Sequence, residues 1–113
     1  MLIQVCRAKI HRACVTGAEL AYEGSIAIST DLLAVSGIRI HERVQVVNLN
    51  NGERFETYVI AGKPGEVCLN GPAARLGVVG DEVIIIAYGF LDTEGAVPEP
   101  TIIHVDAQNR QRQ

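Results

Sequence analysis

The stretch "AYEGSIAI" sets Gly24 directly before Ser25 at the mouth of an apolar segment. A serine hydroxyl attacks the carbonyl of the preceding residue when a strained backbone holds Oγ over that carbon, and the amide becomes an ester. Glycine favours this twice, because it tolerates unusual dihedral angles and carries no side chain to block the attack. Gly-Ser pairs are also common in ordinary turns, so the pair gains meaning only from its surroundings. Elsewhere, Lys9 and His11 stand two apart in "AKIH" and share one face of a strand. That spacing makes either a positive wall toward a ligand or a solvated strand face.

The chain that must position these groups has 113 residues, 48% hydrophobic and 20% charged, enough for one domain with a modest core. Its formal charge is -3, with Lys and Arg scattered rather than gathered in a stripe, which argues against a nucleic-acid partner. Arg7, Lys9, His11 and Arg12 interrupt the amino-terminal apolar residues, so a secretory signal is not expected. The run "EVIIIAYGFL" is too short to span a bilayer. A soluble cytoplasmic protein without a membrane partner is the expectation. Cys6, Cys14 and Cys68 have neither disulfide-framework nor metal-ligand spacing, so they read as small buried or half-buried side chains and no metal site is implied.

Val- and Ile-rich segments predict strands in "IQVCRAKI", "RACVTGA", "SIAIS", "RVQVVNL", "RFETYVIAG", "EVCLN" and "DEVIIIAYGFL". Asn51-Gly52 predicts a tight hairpin turn with positive φ values. Two short helices are predicted. "STDLLAVSG" has Ser29 or Thr30 as N-cap, Asp31 in its first turn and Gly37 as its stop; "NGPAARLG" has Pro72 in its first turn and Gly77 after it. "LLAVSGIRIHERVQVVNL" and "AARLGVVGDEVIIIAY" read as two copies of one phrase, which suggests a barrel with approximate two-fold symmetry. After Leu91 the chain turns polar, with "TIIHV" as an edge strand and "DAQNRQRQ" as a frayed tail.

Taken together, "AKIHRACVTGAELAYEGSIAI", "NGERFETYVIAG" and "CLNGPAARLGVVGDEVIIIAYG" resemble the pyruvoyl-dependent aspartate 1-decarboxylase family. The resemblance spans Met1 to about Leu91. It implies a mainly β fold, a small double-psi β-barrel with short helices over residues 1–91, and a carboxy-terminal extension over 92–113. It also implies a proenzyme that cleaves itself between Gly24 and Ser25. The ester from Ser25 would undergo β-elimination, and the resulting dehydroalanine would hydrolyse to a pyruvoyl group with loss of ammonia. The implied activity is decarboxylation of L-aspartate to β-alanine and CO2 for pantothenate and coenzyme A synthesis. Substrate would form a Schiff base with the pyruvoyl ketone, which serves as electron sink.

The resemblance assigns the catalytic roles to Ser25 and to Tyr58, whose phenol would protonate the carbanion left by CO2. It places Lys9 and Arg54 in the substrate pocket, and the fork of Arg54 suits the retained carboxylate. A surface charge at a hairpin edge is the other reading of Arg54. Thr57 matches a substrate contact that also orients the Gly24 carbonyl during cleavage. Thr57 and Tyr58 are adjacent, so both reach one site only if the strand twists, ends there or lies between two subunits. Asn70 matches a position beside the pyruvoyl group, and Gly71, Pro72 and Ala73 match backbone that lies against substrate. Pro72 stands where Ala is expected and has no N–H to donate. His11 and Tyr22 complete the candidates as supporting residues, although a buried tyrosine with a satisfied hydroxyl is the alternative for both Tyr22 and Tyr58.

Exposed Val and Ile on a small barrel would leave apolar patches, and the resemblance implies a homotetramer with active sites between subunits. Two other readings compete with catalysis. One is a double-psi barrel that binds a ligand or protein without cleaving, in which Gly24-Ser25 is a plain turn. The other is a swapped-hairpin DNA-binding protein, which the acidic balance disfavours.

Overall fold

The computed structural model describes residues 1–112. Among them lie eight strands: β1 (Leu2–Cys14), β2 (Gly17–Glu19), β3 (Ser25–Ser29), β4 (Arg43–Asn48), β5 (Arg54–Gly62), β6 (Val67–Asn70), β7 (Glu82–Asp92) and β8 (Thr101–His104). Helix α1 (Thr30–Ser36) follows β3, and a turn of 3-10 helix (Gly71–Arg75) follows β6. The strands form one hydrogen-bonded row, β2-β6-β3-β5-β4-β7-β1-β8. Only Val15 and Thr16 separate β1, near one end of that row, from β2 at the other, so the row must curl. Thr16 makes the joint: its N–H donates to Val67 O at 2.7 Å, and the Val67 N–H donates to its Oγ1 at 2.9 Å. The chain is thus mainly β, a small barrel with short helices, as its sequence implies.

Alternation sets the core. Val44 and Val46 of β4, Val83, Ile85 and Ala87 of β7, and Ala8, Ile10 and Ala13 of β1 point inward and are buried. Each buried Val or Ile contributes about 1.5–3 kcal/mol. Strand β3 departs from alternation because it is enclosed, with β5 parallel on one side and β6 antiparallel on the other, and all of Ser25–Ser29 is buried. The two predicted strands at the amino terminus are one long β1. It shifts register between Cys6 and Ala8 and between Ile10 and Ala13, where Arg12 takes a φ of 66°; Gly17 and Ala18 of "TGA" begin β2 instead.

The predicted hairpin joins β4 to β5, but only Gly52 is left-handed, at φ 76°. Asn51 works through its side chain: Oδ1 accepts the Glu53 N–H at 2.9 Å, and Nδ2 donates to Leu76 O at 2.9 Å. Helix α1 ends on Gly37 as expected, with φ 77° and its N–H on Leu33 O at 3.0 Å. The second helical phrase contracts to the 3-10 turn behind Gly71 and Pro72. The two phrases meet through the strands that close them, since β4 and β7 pair antiparallel with Val46 opposite Ile85.

Strand β8 lies parallel to β1, with Ala8 opposite Thr101. Where a frayed tail was expected, Val105 bridges to Gln111 and the Asp106 carboxylate accepts the N–H groups of Gln108 and Arg110 at 2.9 and 3.0 Å. Those bonds, Arg110's first, hold the Asp106 carboxyl below the ordinary carboxylate range. Buried Asn109 closes the turn. Its Oδ1 accepts the Cys14 N–H at 2.7 Å, and its Nδ2 donates to Cys14 O and Gly65 O at 2.8 and 2.9 Å. Leaving a buried backbone group unpaired costs about 1–3 kcal/mol. Asn109→Ala is therefore expected to lower the melting temperature by several degrees and to speed proteolysis beyond His104. Unchanged melting would show that water replaces the amide.

Candidate active site

The site forms where β3 begins. Ser25 pairs antiparallel with Asn70 of β6, while β3 meets β5 only from Ile26 opposite Val59 onward. The edge of β5 before Val59 thus lacks a β3 partner, and a pocket of about 330 Å³ opens there. It is lined by Gly24, Phe55, Glu56, Thr57, Tyr58, Asn70, Pro72, Ala73 and Leu76. Thr57 and Tyr58 both line it although β5 runs on to Gly62; at these two residues β3 has not yet begun to pair with β5. Tyr58 is 38% exposed and stands edge-on to His41, with ring centroids 6.4 Å apart.

Ser25 is 1% exposed. Its hydroxyl donates to Glu23 O at 3.1 Å and accepts from Asn70 Nδ2 at 3.1 Å. Asn70 is itself buried, and its Oδ1 accepts from Cys68 Sγ at 3.4 Å. Burial pushes the Cys68 thiol up, with Glu66 and Glu19 adding to it, so the group stays protonated. Gly71 turns left-handed at φ 67°, and its backbone presses on the chain before Ser25. A Cβ there would lie 2.8 Å from Gly24 Cα and N and 2.9 Å from Tyr22 O. At Gly24 itself a Cβ would meet only Pro72 Cδ, at 3.6 Å. Pro72 therefore contributes a ring wall beside Gly24.

The remaining candidates lie outside this lining. Lys9 and His11 do share the outer face of β1, with Ala8 and Ile10 buried between and beside them. His11 stands edge-on to His104, ring centroids 5.3 Å apart. Burial, then the charges of His104, Arg12 and Lys9, lower its pKa, so His11 is neutral at pH 7. Arg54 is exposed and donates from Nη1 to Gln45 Oε1 at 2.7 Å, an oxygen that also accepts from Tyr88 OH at 2.6 Å. Lys9, Ile86, Gln45 and Glu56 lie opposite one another across β1, β7, β4 and β5. The cations and Tyr58 accordingly belong to one outer sheet face. The side chain of Tyr22 is exposed, and it is the carbonyl of that residue that abuts Gly71.

Sequence reasoning passed over Phe55, Glu56, Leu76 and His41. Glu56 carries a signal that was available, since it precedes Tyr58 by two in a strand and must share its face; it is paired with Arg43. Leu76 and His41 arrive by loops and had none. No helix is long and apolar enough to cross a membrane, and no cluster of His, Cys, Asp or Glu suited to a metal occurs among the described residues.

Fold and pocket define a small β-barrel protein in which half-buried Gly24, joined to buried Ser25, lines an open, tyrosine-edged cleft. A family model described as Aspartate decarboxylase matches residues 1–112. Relatives called Aspartate 1-decarboxylase include those of Leptospira biflexa, 53% identical over 97% of this chain and 97% of the relative, and Cytophaga hutchinsonii, 57% identical over 97% and 98%. That of Desulfitobacterium hafniense is 59% identical over 96% of this chain and 88% of the relative. The chain belongs to the aspartate decarboxylase family.

Proposed function

We propose that the chain decarboxylates L-aspartate to β-alanine and CO2, feeding pantothenate and coenzyme A synthesis, with a pyruvoyl group made from its own Ser25. The observation that carries this reading is the buried Ser25 hydroxyl, held by Asn70 and Glu23, beside a Gly24 backbone wedged by Gly71. Maturation begins as Ser25 Oγ bonds to the Gly24 carbonyl carbon and the C–N bond breaks; the hydroxyl proton ends on the Ser25 nitrogen. Loss of the Ser25 Cα proton then expels Gly24 as a carboxylate and leaves dehydroalanine. One water is consumed and one ammonia released as the ketone appears.

These surroundings fit such a group. Asn70 offers an N–H toward position 25, Thr57 and Ala73 line the cleft that Gly24 also lines, and Gly71 packs against Gly24. The ketone supplies an electron sink for the bond that releases CO2. The Tyr58 hydroxyl, at the open edge of the cleft, holds the proton that the α carbon needs. Arg54 grips the carboxylate that is retained, with Lys9 adding charge and His11 and Tyr22 in support. Arg54 and Lys9 stand on the outer sheet face, so we assign them to the cleft of a neighbouring subunit in a homotetramer. Phe90, 73% exposed on that sheet, supports burial of this face by another copy. The catalytic parts all fall within residues 1–91, and 92–113 form an extension whose β8 and Asn109 brace β1. Three free thiols suit a cytoplasmic setting.

Intact mass under denaturing, non-reducing conditions tests the reading. Expected are fragments 1–24 and 25–113, the second lighter than its serine form by one ammonia; a single chain that persists on prolonged warming favours a non-catalytic binding barrel. Tyr58→Phe is expected to mature normally while kcat falls about 10²-fold or more, the scale of a lost general acid. Unchanged turnover would remove Tyr58 from the proton-transfer role.

A further inference from the structure

We infer that Cys68 is a positioning residue for self-cleavage, acting through Asn70 on Ser25. This rests on the proposed maturation at Gly24-Ser25. The buried hydroxyl of Ser25 both donates and accepts, so it cannot by itself decide which end of the Asn70 carboxamide faces it. The thiol of Cys68 can, because S–H is a donor and sulfur a poor acceptor. It donates to Asn70 Oδ1 at 3.4 Å, which turns Nδ2 toward Ser25 Oγ at 3.1 Å and leaves the Ser25 proton directed at Glu23 O at 3.1 Å. The relay thus presents an N–H to the oxygen that must become the nucleophile. With the carboxamide reversed, Ser25 would donate its proton to Asn70 and lose that N–H.

A second feature fixes the sulfur. Gly17 of β2 stands opposite Cys68, and a Cβ on it would lie 3.0 Å from Sγ. The absence of a side chain at 17 leaves room for the thiol on this side. Cys68 also makes the shortest thiol contact of the three cysteines; Cys6 and Cys14 reach carbonyls at 4.0 and 3.8 Å.

Cys68→Ala removes both the volume and the donor of the thiol, whereas Cys68→Val keeps a similar volume and removes only the donor. The time course of cleavage, followed by intact mass from freshly folded chain, is expected to slow about tenfold in both. Melting temperatures of the two variants, read alongside, show whether each is folded. A valine variant that matures at the parental rate would mean packing alone and overturn the proposal, as would an alanine variant that does so. A parent that never cleaves fails the Ser25 reading and this one with it, a result distinct from a parent that cleaves beside an unaffected alanine variant. The Ser25→Ala chain gives a readout independent of cleavage and of Cys68→Ala folding. Its Cys68 S–H stretching band should lie below those of Cys6 and Cys14, and a band no lower overturns the assignment.

Discussion

Ser25→Ala is expected to give one uncleaved chain of 113 residues and no β-alanine. The loss should be complete, because the serine is both the attacking group and the source of the carbon atoms of the ketone. Alanine has no Oγ to accept the Gly24 acyl group, so the amide between 24 and 25 persists and no later step can begin. A second, smaller effect follows from packing. Asn70 Nδ2 loses the acceptor it has at 3.1 Å, and a buried donor left unpaired costs about 1–3 kcal/mol. The variant should therefore melt several degrees lower. That shift is separable from activity, since a folded variant with a cooperative transition and an unbroken chain isolates the chemical defect. β-Alanine formed by purified Ser25→Ala would overturn the mechanism.

The fold was legible where one residue type decides a local shape. Gly52 closes the β4–β5 hairpin and Gly37 stops α1, each through a left-handed backbone that the sequence announces. Of the residues to which the sequence points, Gly24, Thr57, Tyr58, Asn70, Pro72 and Ala73 line one cleft, and Lys9, His11, Tyr22, Arg54 and Gly71 do not. Their geometry was less legible. The glycine whose missing side chain the backbone requires is Gly71; Gly24 has room for a Cβ, and nothing local to "NGPAAR" reveals that Gly71 lies against residue 24. Asn109 was invisible for the same reason, since its partners Cys14 and Gly65 lie 95 and 44 residues away. Local pattern encodes turns and faces; contacts between distant loops are written only in the closed barrel. Arg54 and Lys9 mark a further step, because one chain sets them on an outer sheet face and not in the lining of its own cleft.

Gly71→Ala is expected to slow self-cleavage by tenfold or more while Gly52→Ala leaves it unchanged. Both glycines are left-handed, at φ 67° and 76°, so alanine at either carries a backbone penalty of about 1–3 kcal/mol. They differ in what the new methyl meets. At Gly52 nothing lies within 4 Å; at Gly71 it lies 2.8 Å from Gly24 Cα and N and 2.9 Å from Tyr22 O. Those are backbone atoms without a flexible end to yield, so relief requires the segment before Ser25 to move about 0.6 Å, from 2.8 Å to ordinary contact near 3.4 Å. Misplacing a reacting group by about 1 Å costs on the order of 10² in rate, and the displaced group here carries the carbonyl under attack. Equal melting temperatures with unequal cleavage would attribute the effect to that carbonyl rather than to stability. If Gly71→Ala matures as fast as Gly52→Ala, the wedge of Gly71 against Gly24 is a packing feature alone, and the geometry for attack must come from Thr57 and Asn70.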